Sequence, residues 1–281
     1  MKAGVAGLVL VIATASCKKD HETVPAAPVA VPAPTPDGGG PQIGSNFTPE
    51  VVTFKSGAMT LTGFLYKPDG AGPFPAIVYN HGSEPYPGPK GDQANFYVAH
   101  GFVLFVPHRR GHGRSKDAGP PEPTGGGSDV IAGLVDQNDD VLAAIAYVAA
   151  LPYVDAKRIA VAGCSYGGIE TLLSAERATG IYAAIDFAGG AMRWDGDPAL
   201  QERMKLAARN AKVPVMFVQA ENDYSTGPSK TLAAEMQAAN KPTVLKIYPA
   251  NGTTPREGHR FCMGAVNPPW GDDVLAFLHQ K

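Results

Sequence analysis

The fold is decided by residues 159–168, which read IAVAGCSYGG. An apolar run over residues 159–162 leads into a serine, Ser165, that is flanked by glycines, and a helical pattern begins at Gly168. Glycines on both sides of Ser165 remove Cβ atoms that would collide with the neighbouring strand and helix, so a sharp turn can raise the serine above the sheet. The pattern G-x-S-x-G between a strand and a helix predicts a nucleophile at Ser165. A plain strand-to-helix turn with a capping serine is the alternative.

Short apolar or β-branched runs recur on both sides of this turn and alternate with helical patterns. A hairpin at Ser56-Gly57 opens the series, and the helical spacing of Val141, Ile145 and Val148 precedes the turn. The sequence predicts strands at 51–54, 61–66, 76–79, 102–106, 159–162, 183–187, 215–218 and 244–248, and helices at 168–178, 199–211, 229–239 and 272–279. An antiparallel opening followed by strand–helix units indicates an α/β protein with a mostly parallel central sheet and helices on both faces.

Composition narrows the classes of function. The 281 residues are 44% apolar and 18% charged, with a formal net charge of −2, so the chain can bury a sizeable core. A near-neutral balance gives no electrostatic basis for nucleic-acid binding. Three cysteines cannot form a disulfide framework.

The first 17 residues have the pattern of a secretory signal peptide. An uncharged stretch over residues 3–16 is too short to cross a bilayer as a helix but fits the apolar region of such a signal. Small residues before Cys17 resemble a bacterial lipobox, which predicts that Cys17 becomes a lipidated anchor; Thr14 departs from that pattern. The alternative is ordinary cleavage after Ala13-x-Ala15. Either outcome predicts an exported protein: a membrane-anchored lipoprotein, or one released to the periplasm or the medium.

Residues 18–45 are rich in proline and glycine and nearly free of large apolar residues. Such a segment buries too little apolar surface to offset its ordering entropy, so we expect a disordered tether. The catalytic domain is then expected over residues 46–281.

Several motifs together resemble those of the α/β-hydrolase superfamily, and more narrowly the dienelactone hydrolase and prolyl-oligopeptidase-like esterase group. The matching pieces are Gly63-x-Leu65-Tyr66-x-Pro68, Pro75-Ala76-Ile77-Val78-x-x-His81-Gly82, Arg110-Gly111-x-Gly113-x-Ser115 and Asp155-x-x-Arg158-Ile159-Ala160-Val161-x-Gly163-x-Ser165-x-Gly167-Gly168. The resemblance implies an α/β-hydrolase fold; the short spacing between motifs leaves no room for a large lid domain. The dienelactone hydrolases usually have a cysteine nucleophile where this chain has Ser165, a departure that concerns the substrate and not the fold.

A serine needs a base, and the base needs an orienting carboxylate; in this fold they follow the serine in the order acid, then histidine. The resemblance aligns the acid with Asp223, in preference to Glu221, and with Asp186 and Asp195 as weaker alternatives. It aligns the base with His259, which lies in a long predicted loop over residues 249–271. His279, near the end of the last predicted helix, is expected to be an exposed helix-terminal residue.

The oxyanion hole needs two backbone donors. One is expected from Tyr166, and the other from Ser83 in the loop after the third strand, with Glu84 as the alternative. The resemblance gives His81 a structural role in that loop. His108 and His112 lie in a glycine-rich loop without a helical face, so they do not predict a metal site. The sequence contains no P-loop, EF-hand or H-E-x-x-H pattern, and we expect no metal and no cofactor.

These residues predict a serine hydrolase that cleaves carboxylic esters through an acyl-enzyme intermediate, with a small-molecule ester as its partner. Lactones and peptides are variants of the same chemistry, and a non-enzymatic binding protein on the same fold is the other alternative. The pocket is expected between the loops at 83–93, 116–128, 188–198 and 249–271. Candidate pocket aromatics are Tyr86, Tyr166, Trp194 and Trp270.

Cys164 and Cys262 are expected to be free thiols unless the loop that carries Cys262 folds far inward. In the sheet order implied by the resemblance, two strands separate their segments, roughly 14 Å at the usual spacing of about 4.8 Å. A disulfide tolerates a Cα separation of about 7 Å at most.

Overall fold

Eight apolar or β-branched segments form one mixed sheet in the computed structural model of this protein. The structure describes Met1 and residues 46–122, 127–263 and 267–279. The chain divides into two units, Met1–Pro36 and Asp37–Lys281, and every element described below belongs to the second. The predicted signal peptide with Cys17 and the predicted tether fall within residues 2–45, outside the described residues.

The strand order is β1-β2-β4-β3-β5-β6-β7-β8. The strands are β1 (Glu50–Ser56), β2 (Met59–Tyr66), β3 (Phe74–Asn80), β4 (Val103–Pro107), β5 (Val154–Cys164), β6 (Ala183–Phe187), β7 (Val215–Ala220) and β8 (Thr243–Tyr248). The β1–β2 and β2–β4 pairs are antiparallel, and the five remaining pairs are parallel. This confirms the predicted mostly parallel sheet and the opening hairpin. The strands β4, β6 and β7 are buried along their whole length, which is why apolar residues dominate them, although β6 contains Asp186 and β7 contains Gln219.

Helices cover both faces of the sheet. The described part of the chain contains α1 (Gly91–Tyr97), α2 (Ser128–Ala149), α3 (Tyr166–Arg177), α4 (Pro198–Asn210), α5 (Gly227–Ala238), α6 (Pro255–His259) and α7 (Gly271–His279). Alternate strand residues face opposite cores: α1 and α7 pack on one face, and α2 to α5 pack on the other. None of the described helices is long and apolar enough to span a bilayer.

Two helices lie where the sequence predicted loops. The helix α6 interrupts the predicted loop at 249–271, and α1 begins inside the predicted loop at 83–93. A capping box starts α6: the hydroxyl of Thr254 accepts from the backbone N–H of Glu257, the Glu257 carboxylate accepts from the backbone N–H of Thr254, and Pro255 occupies the first turn. The signal was therefore present in the sequence, in a stretch with too few apolar residues to show helical periodicity.

The prediction of free thiols is wrong. Cys164 and Cys262 form a disulfide with a Cα–Cα distance of 6.0 Å. The sheet order does place two strands, β6 and β7, between β5 and β8. The segment after β8 does not stay at its edge, however: it turns back across the ends of β7 and β6, where Asn222 bonds the backbone of Asn251 and Thr254. The returning segment therefore brings Cys262 to Cys164, although two strands separate β5 from β8.

Candidate active site

Ser165 occupies the single-residue turn between β5 and α3. Its backbone has φ 59° and ψ −118°, a conformation that a non-glycine residue rarely adopts. Hydrogen bonds hold the turn in place: the Ser165 N–H donates to the carbonyl of Phe187 at 2.9 Å, and the Ser165 carbonyl accepts from Gly168 and Ile169. Strained backbone of this kind persists only where the surroundings determine it, and it concentrates at functional sites.

The glycines around Ser165 are required by close backbone contacts. A Cβ at Gly163 would lie 2.3 Å from the carbonyl oxygen of Gly167, and a Cβ at Gly167 would lie 2.1 Å from the carbonyl oxygen of Asn80. Both distances are far below van der Waals contact, so no side chain fits at either position without moving backbone.

The carboxylate of Asp223 is buried just beyond the end of β7. Its Oδ2 accepts from the Gln219 side chain at 2.8 Å, and its Oδ1 accepts from the backbone N–H of Tyr224 at 2.6 Å. His259, the last residue of α6, brings its Nδ1 to 2.9 Å from Oδ1 and 3.1 Å from Oδ2. An ionised carboxylate can only accept, so Nδ1 carries the proton in this contact and Nε2 of the neutral ring has the free lone pair.

The Nε2 atom of His259 is buried, and within the described ranges no hydrogen bond is made to it. The ring of Tyr224 packs edge-on against the imidazole, with ring centroids 5.5 Å apart. The disulfide joins this segment to the serine turn, because Cys262 follows His259 by three residues and Cys164 directly precedes Ser165. The structure thus brings the three residues of the sequence hypothesis to one edge of the sheet.

The alternative acids and the alternative base have other surroundings. Glu221 accepts from the backbone of Ala250. Asp195 accepts from the Ser225 hydroxyl. Asp186 is fully buried and accepts from the N–H of Gly189, and burial raises its pKa to about 7 despite that hydrogen bond. His279 is exposed at the end of α7.

The guanidinium of Arg109 holds the backbone that follows β3. Arg109 is fully buried and is not among the residues that the sequence predicted for the site. Its guanidinium donates to the carbonyl of His81 at 2.7 Å, to the carbonyl of Gly82 at 2.9 Å and to the side chain of Gln137 at 3.1 Å. In a trans peptide the C=O and N–H point in opposite directions. Fixing the Gly82 carbonyl therefore also fixes the direction of the Ser83 N–H. The sequence shows only an arginine two residues after the end of β4, and burial cannot be read from the sequence.

His81 completes this support. Its Nδ1 lies 2.8 Å from the Gly82 carbonyl oxygen, and its Nε2 accepts from the backbone N–H of Arg109 at 3.3 Å. A carbonyl oxygen only accepts, so Nδ1 carries the proton and the ring is neutral. Burial, followed by the nearby Arg109 charge, holds the pKa of His81 well below its usual value, in agreement with a neutral ring.

Glu84, the alternative oxyanion donor, uses its backbone N–H on its own carboxylate. That carboxylate also pairs with Lys90. Burial acts to raise the pKa of Glu84, but the charge and hydrogen bond of Lys90, the backbone N–H and the charge of Arg109 together hold the pKa below its usual value. Of the two candidate donors in this loop, Ser83 is the one whose peptide Arg109 orients.

The other candidate residues divide between core and surface. Trp270 and Trp194 are buried, and the Trp270 indole donates to the carbonyl of Phe261 at 3.0 Å. Tyr86 is exposed. His112 contacts Glu122 and the Arg110 carbonyl, and His108 accepts from the backbone of Arg114. No group of three or more potential metal-ligating side chains exists among the described residues.

Solved structures with the same fold include large peptidases and a protein of similar length. An acylaminoacyl peptidase from Pyrococcus horikoshii is 19% identical with a TM-score of 0.59, over 76% of this chain and 40% of that one. Dipeptidyl peptidase 4 from Porphyromonas gingivalis is 23% identical with a TM-score of 0.58, over 72% and 32%. A protein from Klebsiella pneumoniae assigned to the dienelactone hydrolases is 18% identical with a TM-score of 0.56, over 84% and 100%.

These likenesses show the α/β-hydrolase fold, and the chain spans less than half the length of the two peptidases. The sequence profile of the dienelactone hydrolase family matches residues 61–257, which is most of the chain. The match includes Ser165 and Asp223 and ends two residues before His259. The chain therefore belongs to the dienelactone hydrolase family.

Proposed function

We propose that this hydrolase cleaves carboxylic esters by acyl transfer to Ser165, with His259 as general base and Asp223 as the carboxylate that orients it. The observation that carries the proposal is the Asp223–His259 hydrogen bond, because it leaves the lone pair on a buried Nε2 in a segment bonded to the serine turn. Base, orienter and a serine on a strained turn are the parts that nucleophilic catalysis requires.

In the first half-reaction, His259 Nε2 takes the proton of the Ser165 hydroxyl as the oxygen attacks the ester carbonyl. The negative charge that develops on the carbonyl oxygen accepts hydrogen bonds from the N–H groups of Tyr166 and Ser83. Tyr166 is the first residue of α3. The first N–H groups of a helix have no carbonyl acceptor within the helix, because no helical turn precedes them. Asp223 stabilises the imidazolium, which then gives its proton to the departing alcohol.

In the second half-reaction, water attacks the acyl-enzyme. His259 takes the proton of this water, and the tetrahedral intermediate collapses to release the carboxylic acid and restore the Ser165 hydroxyl. A lactone follows the same steps, except that its alcohol and acid leave as one molecule. The mechanism uses no metal and no cofactor.

Family membership supports an ester or lactone substrate over a peptide. The profile of the dienelactone hydrolase family matches residues 61–257, whereas the two peptidases share the fold at 19% and 23% identity. Peptide hydrolysis remains the alternative within the same chemistry, and it is distinguished by the substrate and not by the site.

The test compares hydrolysis of short p-nitrophenyl esters with that of peptide p-nitroanilides. We expect ester turnover in the wild type and a loss of about 10⁴-fold or more in Ser165→Ala. The matched control is Ser229→Ala, because the Ser229 hydroxyl is buried on α5 and has no hydrogen-bond partner among the described residues. Hydrolysis of the anilides without hydrolysis of the esters would indicate a peptidase in place of an esterase. Unchanged activity in Ser165→Ala would contradict the assignment of Ser165 as the nucleophile.

We also propose that the protein is exported and anchored through a lipid on Cys17. The apolar N-terminal stretch supports export, and a disulfide is typical of proteins from oxidising compartments. Mass spectrometry of the N-terminal peptide from a membrane fraction tests this. A diacylated or triacylated Cys17 is expected, and a mature chain that begins at Ser16 would contradict the anchor.

A further inference from the structure

The disulfide Cys164–Cys262 lies between the two groups that must meet in the proposed reaction. Cys164 ends β5 and directly precedes Ser165, and Cys262 ends a single 3₁₀ turn that directly follows His259. The two sulfurs join positions 98 residues apart in the chain. Both residues are nearly buried, in the core that α1 and α7 form with the sheet.

The His259 segment has little intrinsic stability. The helix α6 has five residues, far fewer than an isolated helix needs to form in water. Its position therefore depends on tertiary contacts at both ends.

Gln93 and Trp270 hold the backbone of this segment through the carbonyls of Cys262 and Phe261. Two further sets of contacts act on the position of His259 relative to its partners. On the β7 side, Asn222 bonds the backbone of Asn251 and Thr254, and Asp223 bonds the imidazole. This group sets the distance between the base and its orienting carboxylate. The link from the segment to the β5–α3 turn is covalent, through Cys262. That link is a covalent path between the base and the nucleophile.

The distance between base and nucleophile is the more demanding of the two. Proton transfer needs about 2.6–3.2 Å between the heavy atoms, and an error of about 1 Å can cost about 100-fold in rate. Because no hydrogen bond to His259 Nε2 exists among the described residues, no polar contact of this atom holds the ring toward the serine. The chain itself must supply that placement.

We infer that the Cys164–Cys262 disulfide is a positioning element of the active site, which holds His259 at the distance from Ser165 that proton transfer requires. The inference rests on the proposed function. It makes turnover dependent on the oxidation state of this cysteine pair. Opening the disulfide consumes two electrons and two protons, which dithiothreitol supplies as it becomes a cyclic disulfide. Closing it returns them to glutathione disulfide, which becomes two glutathione thiols.

The experiment measures kcat and KM for p-nitrophenyl acetate in the oxidised wild type, in Cys262→Ala and in the double variant Cys164→Ala/Cys262→Ala. The double variant removes the unpaired thiol that the single variant leaves beside Ser165. We expect kcat to fall about 10- to 100-fold in both variants, with KM within about twofold, and the rate of fluorophosphonate labelling to fall in parallel.

Loss of a disulfide also lowers global stability, so a stability-matched control is needed. Val148→Ala, in the core between α2 and the sheet, lowers the melting temperature without touching the site. Measured well below the melting temperatures of all variants, its kcat should equal that of the wild type. A kcat lowered as much by Val148→Ala as by the cysteine variants would assign the disulfide to stability alone.

Native reduction gives the same test without a substitution. Dithiothreitol followed by alkylation of a small sample reports the fraction of opened disulfide, and kcat should fall in proportion to it and return with glutathione disulfide. Folded cysteine variants with wild-type kcat, or a fully reduced enzyme with full activity, would overturn the inference and leave the esterase proposal intact. An oxidised wild type that neither hydrolyses esters nor takes the fluorophosphonate would instead overturn the proposed function.

Discussion

Arg109 offers the sharpest test of how the loop after β3, which contains the expected oxyanion donor Ser83, is held in place. Its guanidinium donates to two backbone carbonyls, those of His81 and Gly82, and to Gln137, in a fully buried position. Lysine keeps the charge but has a single nitrogen, which lacks the planar fork that reaches both carbonyls at once. Arg109→Lys therefore leaves at least one buried acceptor without its charged donor.

The magnitude follows from these contacts. An unsatisfied buried acceptor costs about 1–3 kcal/mol, so the free energy of unfolding should fall by about that amount. Complete loss of an oxyanion donor lowers kcat by about 10²–10³-fold. Because His81 Nδ1 still donates to the Gly82 carbonyl, the Ser83 peptide is loosened and not released, and we expect kcat to fall about 10- to 100-fold with KM nearly unchanged.

The assay pairs ester kinetics with urea unfolding, and Arg110→Lys is the control. Arg110 is the next residue in the chain and makes a comparable multidentate contact, but with the Asp140 carboxylate. That variant should lose stability and keep its kcat. A folded Arg109→Lys enzyme with wild-type kcat, or equal losses of kcat in both variants, would refute the role assigned to Arg109.

Three further outcomes are expected. His259→Ala and Asp223→Asn should each lower kcat/KM by orders of magnitude, and their double variant should lose little more, because the residues act as a unit; additive losses would argue against that unit. Gly167→Ala should fail to fold or lose most of its stability, because the new Cβ would lie 2.1 Å from the Asn80 carbonyl oxygen; a stable, active variant would contradict the geometry of the turn, as circular dichroism melts would show. Burial raises the pKa of Asp186 above its value of 3.8 to about 7, so the folded state keeps this proton longer than the unfolded state does, and the contribution of Asp186 to stability falls as pH rises through that interval. In urea titrations, the free energy of unfolding of Asp186→Asn should therefore rise relative to that of the wild type as the pH increases from 3.8 to about 7. A difference between the two proteins that does not change with pH would contradict the raised pKa.

The sequence predicted the fold because its main signals are local. Unbroken apolar runs identify strands buried on both faces, and the turn at Ser165 needs glycines that the sequence displays directly. The place of the acid after the strand at 215–218 left both Glu221 and Asp223 available, and the family resemblance selected Asp223.

The features that the sequence could not predict depend on the path of the chain after β8 and on which side chains are buried. The sequence cannot predict the disulfide because strand spacing gives only the distance along the sheet, whereas the segment after β8 turns back across the strand ends. Arg109 was missed because an arginine beside a second arginine is ordinarily read as solvated surface, and only the packing of α2 and the β3 loop shows that it is enclosed.

The most direct measurement of the central claim is the site of fluorophosphonate attachment. Trypsin releases residues 159–177 as one peptide, which contains both Ser165 and Ser174 and is freed from its disulfide partner by reduction. Fragment ions separate the two serines, so the adduct can be assigned to a single side chain. We expect one adduct per chain, on Ser165, at a rate that falls sharply in His259→Ala. A stoichiometric adduct on any other residue, or none on a folded protein that hydrolyses esters, would contradict the account.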